Sequence, residues 1–179
     1  NYGIEIAEQQ ETTPYNSLIF GSSNNSDTTI HPKLVIVYDT AEVVDSVSCI
    51  TLQPSAARGQ DWDALITSGL PSNNLATHTD FGCYIWTCSG PNCTVRSLIN
   101  FDLSAIPANA TITNATLYLY ADANNTNIGI LGQPTYGSSD AGWIKRITSS
   151  WTVTGVTWNN QPTTINTNEV PLAHSTNST

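Results

Sequence analysis

The 179-residue sequence has no methionine, and only 5 of its residues are lysine or arginine. Without an initiator, the chain is expected either to have lost a leading segment or to be part of a longer polypeptide. The 5 cations stand against 14 carboxylates, for a net charge of -9 and a pI near 4.3. That balance excludes nucleic acid as a partner, because phosphate backbones are held by clustered Lys and Arg. It also disfavours an anionic polysaccharide unless a cation bridges the two. No apolar run approaches the ~20 residues needed to span a bilayer, so no membrane span is read. A signal peptide is missing as well, so an export reading requires one already cleaved. Phosphate-cradling glycine loops are absent. The three histidines, His31, His78 and His174, stand apart from any nucleophile-elbow serine or cysteine. Nothing here asks for a catalyst, and the chain reads as a non-enzyme.

What is present is strand material. Hydrophobic residues make up 39% of the chain in short runs, and charged residues only 11%, so Ser, Thr and Asn carry the surface. Apolar alternation of period two recurs in GIEIA, SLIF, KLVIVY, CITL, DALI, YIWT, VRSLINF, ATLYLYA, WIKRI and around VTGVTW. In ITNATLYLYA, Ala115, Leu117, Leu119 and Ala121 share one face, opposite Asn114, Thr116, Tyr118 and Tyr120. VRSLINF is apolar on both faces and reads as a central strand. The connections GSSNNSD, TSGLPSNN, SGPN, DANNTN and GQPTYGSSD are turn-forming. The pattern predicts an all-β fold, an antiparallel jelly-roll-like β-sandwich.

Four cysteines, Cys49, Cys83, Cys88 and Cys93, lack the C-x2-C pairs of a zinc site. They are disulfide candidates for an oxidising compartment, which places the protein outside the cell or at the cell surface. Three connectivities are open.

The stretch RSLINFDLSAIPANATITNATLYLY, followed by WTVTGVTWNNQPTT, resembles the DNRLRE-type domain, a family of secreted β-sandwich modules often tandem in bacterial surface proteins. The resemblance covers residues 50–175 and makes Arg96, Phe101, Asp102, Pro107, Trp151, Trp158, Asn159 and Asn160 structural motif positions. Residues 2–38 are similar to the closing segment of the same family, through Tyr2, Gly3, Ser17 to Ser23 and His31 to Tyr38. The resemblance implies the tail of one repeat (residues 1–39), a linker (40–47) and most of the next repeat as a main sandwich (48–179). Two features depart from the family: the strand usually found after VTWNNQP is missing, and the Cys83–Cys93 loop is not general.

A sandwich without its closing strands exposes apolar faces and unpaired backbone. Burying the large side chains of KLVIVY alone is worth roughly 5–10 kcal/mol, against a typical domain stability of ~5–15 kcal/mol. Ile4, Ile6, Leu18, Phe20, Leu34, Ile36 and Tyr38 are therefore read as assembly positions. They complete a sandwich either in their own chain or in a neighbour. The favoured expectation is a filament or tandem array in which each copy lends strands head-to-tail to the next. The alternative, implied by relatives that resemble alginate-binding modules, is polysaccharide binding with calcium assisting an acidic polymer.

Two local features bear on that alternative. Asp61 and Asp63 in GQDWDALI share a strand face. With Asp80 they would suit a structural calcium ion or a solvated turn better than an acid–base pair. No metal site is assigned. Of the five tryptophans, Trp86 lies between two cysteines in an expected loop and is the candidate glycan contact. The rest are expected in the core.

Overall fold

The computed structural model describes residues 2–40, 47–54, 63–125 and 134–174. Among the described residues eleven strands carry the fold, and all their pairings are antiparallel. They are β1 (Ile4–Glu8), β2 (Asn16–Gly21), β3 (Lys33–Thr40), β4 (Val47–Leu52), β5 (Asp63–Thr67) and β6 (Asp80–Thr87). β7 (Asn92–Ile99), β8 (Ala110–Tyr118), β9 (Thr135–Tyr136), β10 (Gly142–Ile147) and β11 (Thr164–Leu172) follow. The first sheet has eight strands in the order β11-β10-β1-β7-β6-β2-β9, with β5 also on β7. The second has three, in the order β4-β3-β8.

The two sheets form a sandwich around a cluster of Ile6, Leu18, Phe81, Cys83, Ile99 and Phe101. Leu34, Leu52 and Leu117 of the smaller sheet close over it. The two-residue period explains the choice of residues: Leu34, Ile36, Ile50 and Leu52 share one face of the β3–β4 ladder. A second cluster joins Ala64, Ile66, Leu98, Ile147 and Val156, with Trp151 and Trp158 against it. A third joins Ile19, Leu65, Tyr84 and Val95. β7 touches all three clusters and pairs with β1, β5 and β6, so its two-sided apolar pattern is that of a central strand.

The N-terminal strands complete this sandwich within the same chain. β1 lies between β10 and β7, β2 between β6 and β9, and β3 between β4 and β8. Ile6 is fully buried, Ile36 nearly so, and Ile4 and Phe20 pack against the first cluster. Tyr38 is half-buried opposite Ser48.

Three expectations need correcting. VTGVTW is no strand: Gly155 and Val156 turn back onto the Thr152 carbonyl, and a 3-10 turn follows at Trp158–Asn160. The Asn160 Oδ1 takes the Thr157 N–H at 2.6 Å and its hydroxyl at 3.0 Å, diverting the backbone from a ladder. The outer part of ITNATLYLYA is exposed on both faces, Ala115 included, because only Leu117 and Leu119 reach the core. The Cys83–Cys93 stretch is two strands and a tight turn rather than a loop.

Candidate functional site

Trp86 stands near the end of β6, directly opposite Cys93 on β7. Its half-buried indole is flanked by two tyrosines brought from distant parts of the chain. The Tyr15 ring meets it edge-on at 5.0 Å with an interplanar angle of 90°, and the Tyr136 ring lies 5.5 Å away at 64°. Tyr15 is 47% exposed and Tyr136 40% exposed. Together they form an open aromatic surface beside the β9 edge of the larger sheet.

The backbone beneath this surface is tightly specified. Tyr15 adopts φ +67, a conformation costly for a side chain of its size, and its N–H donates to the Ile85 carbonyl at 2.7 Å. Gly137, at φ +92, lets the chain after β9 come against Tyr15. A Cβ there would stand 2.3 Å from the Tyr15 carbonyl oxygen and 2.2 Å from Asn16 Oδ1. Asn16 is buried and links both segments: Oδ1 accepts the Ser139 N–H at 3.0 Å, and Nδ2 donates to the Thr13 carbonyl at 3.0 Å. On the other side, the Cys88–Cys93 disulfide closes the β6–β7 turn just past Trp86. Asn92 donates to the Thr12 carbonyl.

Arg96 secures the segment leading to Tyr15. Its Nε and one terminal nitrogen grip the Glu11 carboxylate at 2.7 and 2.6 Å, a bidentate pair. The other terminal nitrogen donates to Gln161 at 2.9 Å, and the guanidinium lies 5.0 Å from the Trp158 ring centroid. The sequence motif therefore resolves into supports. Asn159 donates to the Ser72 hydroxyl, and Asn160 caps its own turn. The Trp151 indole N–H donates to the Tyr2 carbonyl at 2.7 Å. Asp102 takes the Ser104 N–H, the Pro107 carbonyl accepts from Ala110, and Phe101 is core.

Among the described residues, Lys33 stacks on Tyr118 and Tyr120 and Arg96 on Trp158, so neither meets the Trp86 surface. Carboxyls, by contrast, lie deep in the fold. Burial holds the Glu5 carboxyl above its ordinary range, against the opposing pull of Arg96, and likewise raises Asp80 against His78. Glu8, beside Asp140, is pushed up to about 9 by burial.

The calcium candidates are dispersed. Asp61 and Trp62 lie outside the described residues. Asp63 is buried and accepts the Ser23 N–H and hydroxyl at 2.7 and 2.9 Å, while Asp80 lies at the start of β6 near His78. Among the described residues, no group of three or more His, Cys, Asp or Glu is spaced to hold a metal. Of the disulfide candidates, only Cys88 and Cys93 are joined. Cys49 is exposed on the smaller sheet and Cys83 buried in the larger one, so neither has a partner thiol.

Trp86 was legible as a candidate; Tyr15 and Tyr136 were not. Their one sequence signal is a tyrosine placed inside a turn, in TPYN and PTYG.

No curated protein and no solved structure matches the sequence. Residues 55–178, from just before β5 to just beyond β11, match the family described as carbohydrate-binding module family 96. The chain belongs to carbohydrate-binding module family 96.

Proposed function

We propose that this chain is a non-catalytic, extracellular module that binds a neutral polysaccharide on the Tyr15–Trp86–Tyr136 surface. The observation that carries this reading is the exposed aromatic cluster on a backbone already fixed in place. Aromatic faces present large apolar area at small entropic cost, which suits the C–H face of a sugar ring. The family match supports carbohydrate as the ligand. The charge favours a neutral one: a net -9 chain with no cation stacked on these rings among the described residues would repel a uronate polymer. A disulfide beside the surface fits an oxidising compartment. Strand donation to a neighbouring copy draws no support, because β1, β2 and β3 each find two partners within the chain.

The test is affinity electrophoresis and calorimetry against a panel of neutral and uronate polysaccharides, with and without chelator. Neutral polymers should retard the protein regardless of chelator. Trp86→Ala should weaken binding by about thirty-fold, the consequence of losing a ~2 kcal/mol aromatic anchor. Binding that survives in a Trp86→Ala, Tyr136→Ala double variant, or that is confined to uronates, would overturn the assignment.

A further inference from the structure

The turns between β10 and β11 enclose a cavity of about 350 Å³, lined by Ser150, Trp151, Thr152, Gly155, Val156 and Asn160. That volume is at the small end of the range for ligand sites, roughly 300–1,000 Å³. Its walls are held in place. Asn160 accepts from Thr157 and donates to the Gly155 carbonyl at 2.9 Å, and Val156 is buried in the second core cluster. The Trp151 indole packs on the same cluster, and its N–H already donates to the Tyr2 carbonyl. What the ring offers the cavity is therefore carbon. Ser150 and Thr152 are exposed, and their hydroxyls make no hydrogen bond among the described residues. No lining side chain carries a charge. Gly155 adds an independent observation. Its φ is not positive, so the backbone does not require glycine there. A Cβ at this position would meet the Thr152 hydroxyl at 2.7 Å. The missing side chain keeps space open beside a free hydroxyl.

We infer that this cavity is a second carbohydrate site, which takes one residue at the end of a neutral glycan. It rests on the carbohydrate reading above for the class of ligand, but on residues separate from the Trp86 surface. Three properties select a sugar residue. Indole carbon offers apolar area to the C–H side of a pyranose, and the Ser150 and Thr152 hydroxyls can donate to or accept from its hydroxyls. The uncharged lining suits a neutral ring and gives a carboxylate or phosphate no cation to pair with. The small volume within one turn suits a single residue, whereas the Trp86 surface lies open beside a sheet edge. One sugar cannot touch both sites. Trp151 is tied to Tyr2, two residues before Ile4, which pairs with Ile99 at one end of β7. Trp86 faces Cys93 near the other end, and the strand between them spans ~20 Å. Chain ends are rare in a polymer, so this site adds little to retention on polysaccharide and acts on short glycans.

The experiment is heteronuclear NMR titration of the chain with the methyl glycosides of glucose, mannose and galactose and with their disaccharides. At least one should shift the amides of residues 150–160, saturating at about millimolar concentration, and should do so equally in Trp86→Ala. Gly155→Ala fills the space beside Thr152 on an ordinary backbone, so affinity should fall about ten-fold at an unchanged melting temperature. Ser150→Ala combined with Thr152→Ala removes two hydroxyls that hold nothing in the fold, and should weaken binding similarly. Both variants should keep their retardation by polysaccharide. Silence at residues 150–160 with every sugar overturns the proposal, and leaves the Trp86 surface standing if polymers still retard the chain. A response that both variants leave unchanged overturns it as well. Shifts at residues 150–160 in a chain that no polymer retards would uphold this site and remove the Trp86 surface instead.

Discussion

Replacing Glu8 with glutamine tests the electrostatics of the core. Glu8 closes β1 opposite Gly142 and is 3% exposed. Neither carboxyl oxygen has a hydrogen-bond partner apart from the weak Cys83 thiol, and the fully buried Asp140 lies nearby, itself held by His174. Burial first, then the negative charge of Asp140 and Glu11, pushes its carboxyl from the usual 4.5 up to about 9. The folded state therefore keeps a proton that the unfolded chain surrenders. Below the unfolded value both states are protonated and stability is complete. As pH rises from 4.5 toward 9, the unfolded chain loses the proton first and stability falls. At 1.36 kcal/mol per unit, the 2.5 units between 4.5 and 7 amount to about 3 kcal/mol, and to about 6 kcal/mol above pH 9. Glutamine has nearly the same shape and no charge. Glu8→Gln should then match the wild type near pH 4.5 and exceed it by about 3 kcal/mol at pH 7, or roughly 10 °C in Tm. Urea denaturation across pH 4.5–8.5 on both proteins gives the difference curve. Contributions common to both, such as those of Glu5 and Asp80, cancel in it. Parallel curves, or a variant that loses stability as pH rises, would refute the reasoning.

Arg96→Met should destabilise by about 2–3 kcal/mol in urea, since it leaves Glu11 without its cation and Glu5 with Lys145 alone. Arg96→Lys keeps the charge but not the fork, and should fall between that variant and the wild type. An unchanged midpoint for the methionine variant would remove the network from the account. Gly137→Ala should weaken glycan binding more than it lowers Tm, because the added Cβ meets Tyr15 and Asn16 beneath the aromatic surface. Equal binding would mean that this backbone does not position the rings. Deleting residues 1–39 should give insoluble or molten protein, since it removes β1, β2 and nearly all of β3 from the two sheets. A soluble, cooperatively melting product would show that these strands are dispensable.

Most of the strand content was legible because the two-residue period survives wherever one face is buried. IEIA, SLIF, KLVIVY, CITL, DALI and WIKRI all became strands. The pattern failed where burial was not the deciding force. β11 was invisible because TINTNEVPL lies on an edge and is largely exposed, so no face of it needed to be apolar. β9 was too short to show a period. VTGVTW alternates convincingly, but Asn160 and the Thr152 carbonyl capture its backbone locally, and no alternation rule sees such competition. The cysteines were misleading for a spatial reason: an even count of four thiols suggests two bridges, but Cys49 and Cys83 belong to different sheets.

The aromatic surface could not be read from any one segment, because no segment contains it. Trp86 comes from β6 and Tyr136 from β9, both inside the stretch that matches the carbohydrate-binding family. Tyr15 comes from the residue before β2, outside that stretch, and reaches the indole only because β2 pairs with β6 on one side and β9 on the other. The same two ladders that insert Leu18 and Phe20 into the core therefore set all three rings in register. Arg96 extends this coupling: from the centre of β7 it holds Glu11, four residues before Tyr15, against the Trp158 and Gln161 turn. The ladders that complete the sandwich thus also build the surface. A variant that loosens β2 should lose glycan affinity before it loses cooperative folding, because the exposed rings lie at the end of the ladder, where strands open first.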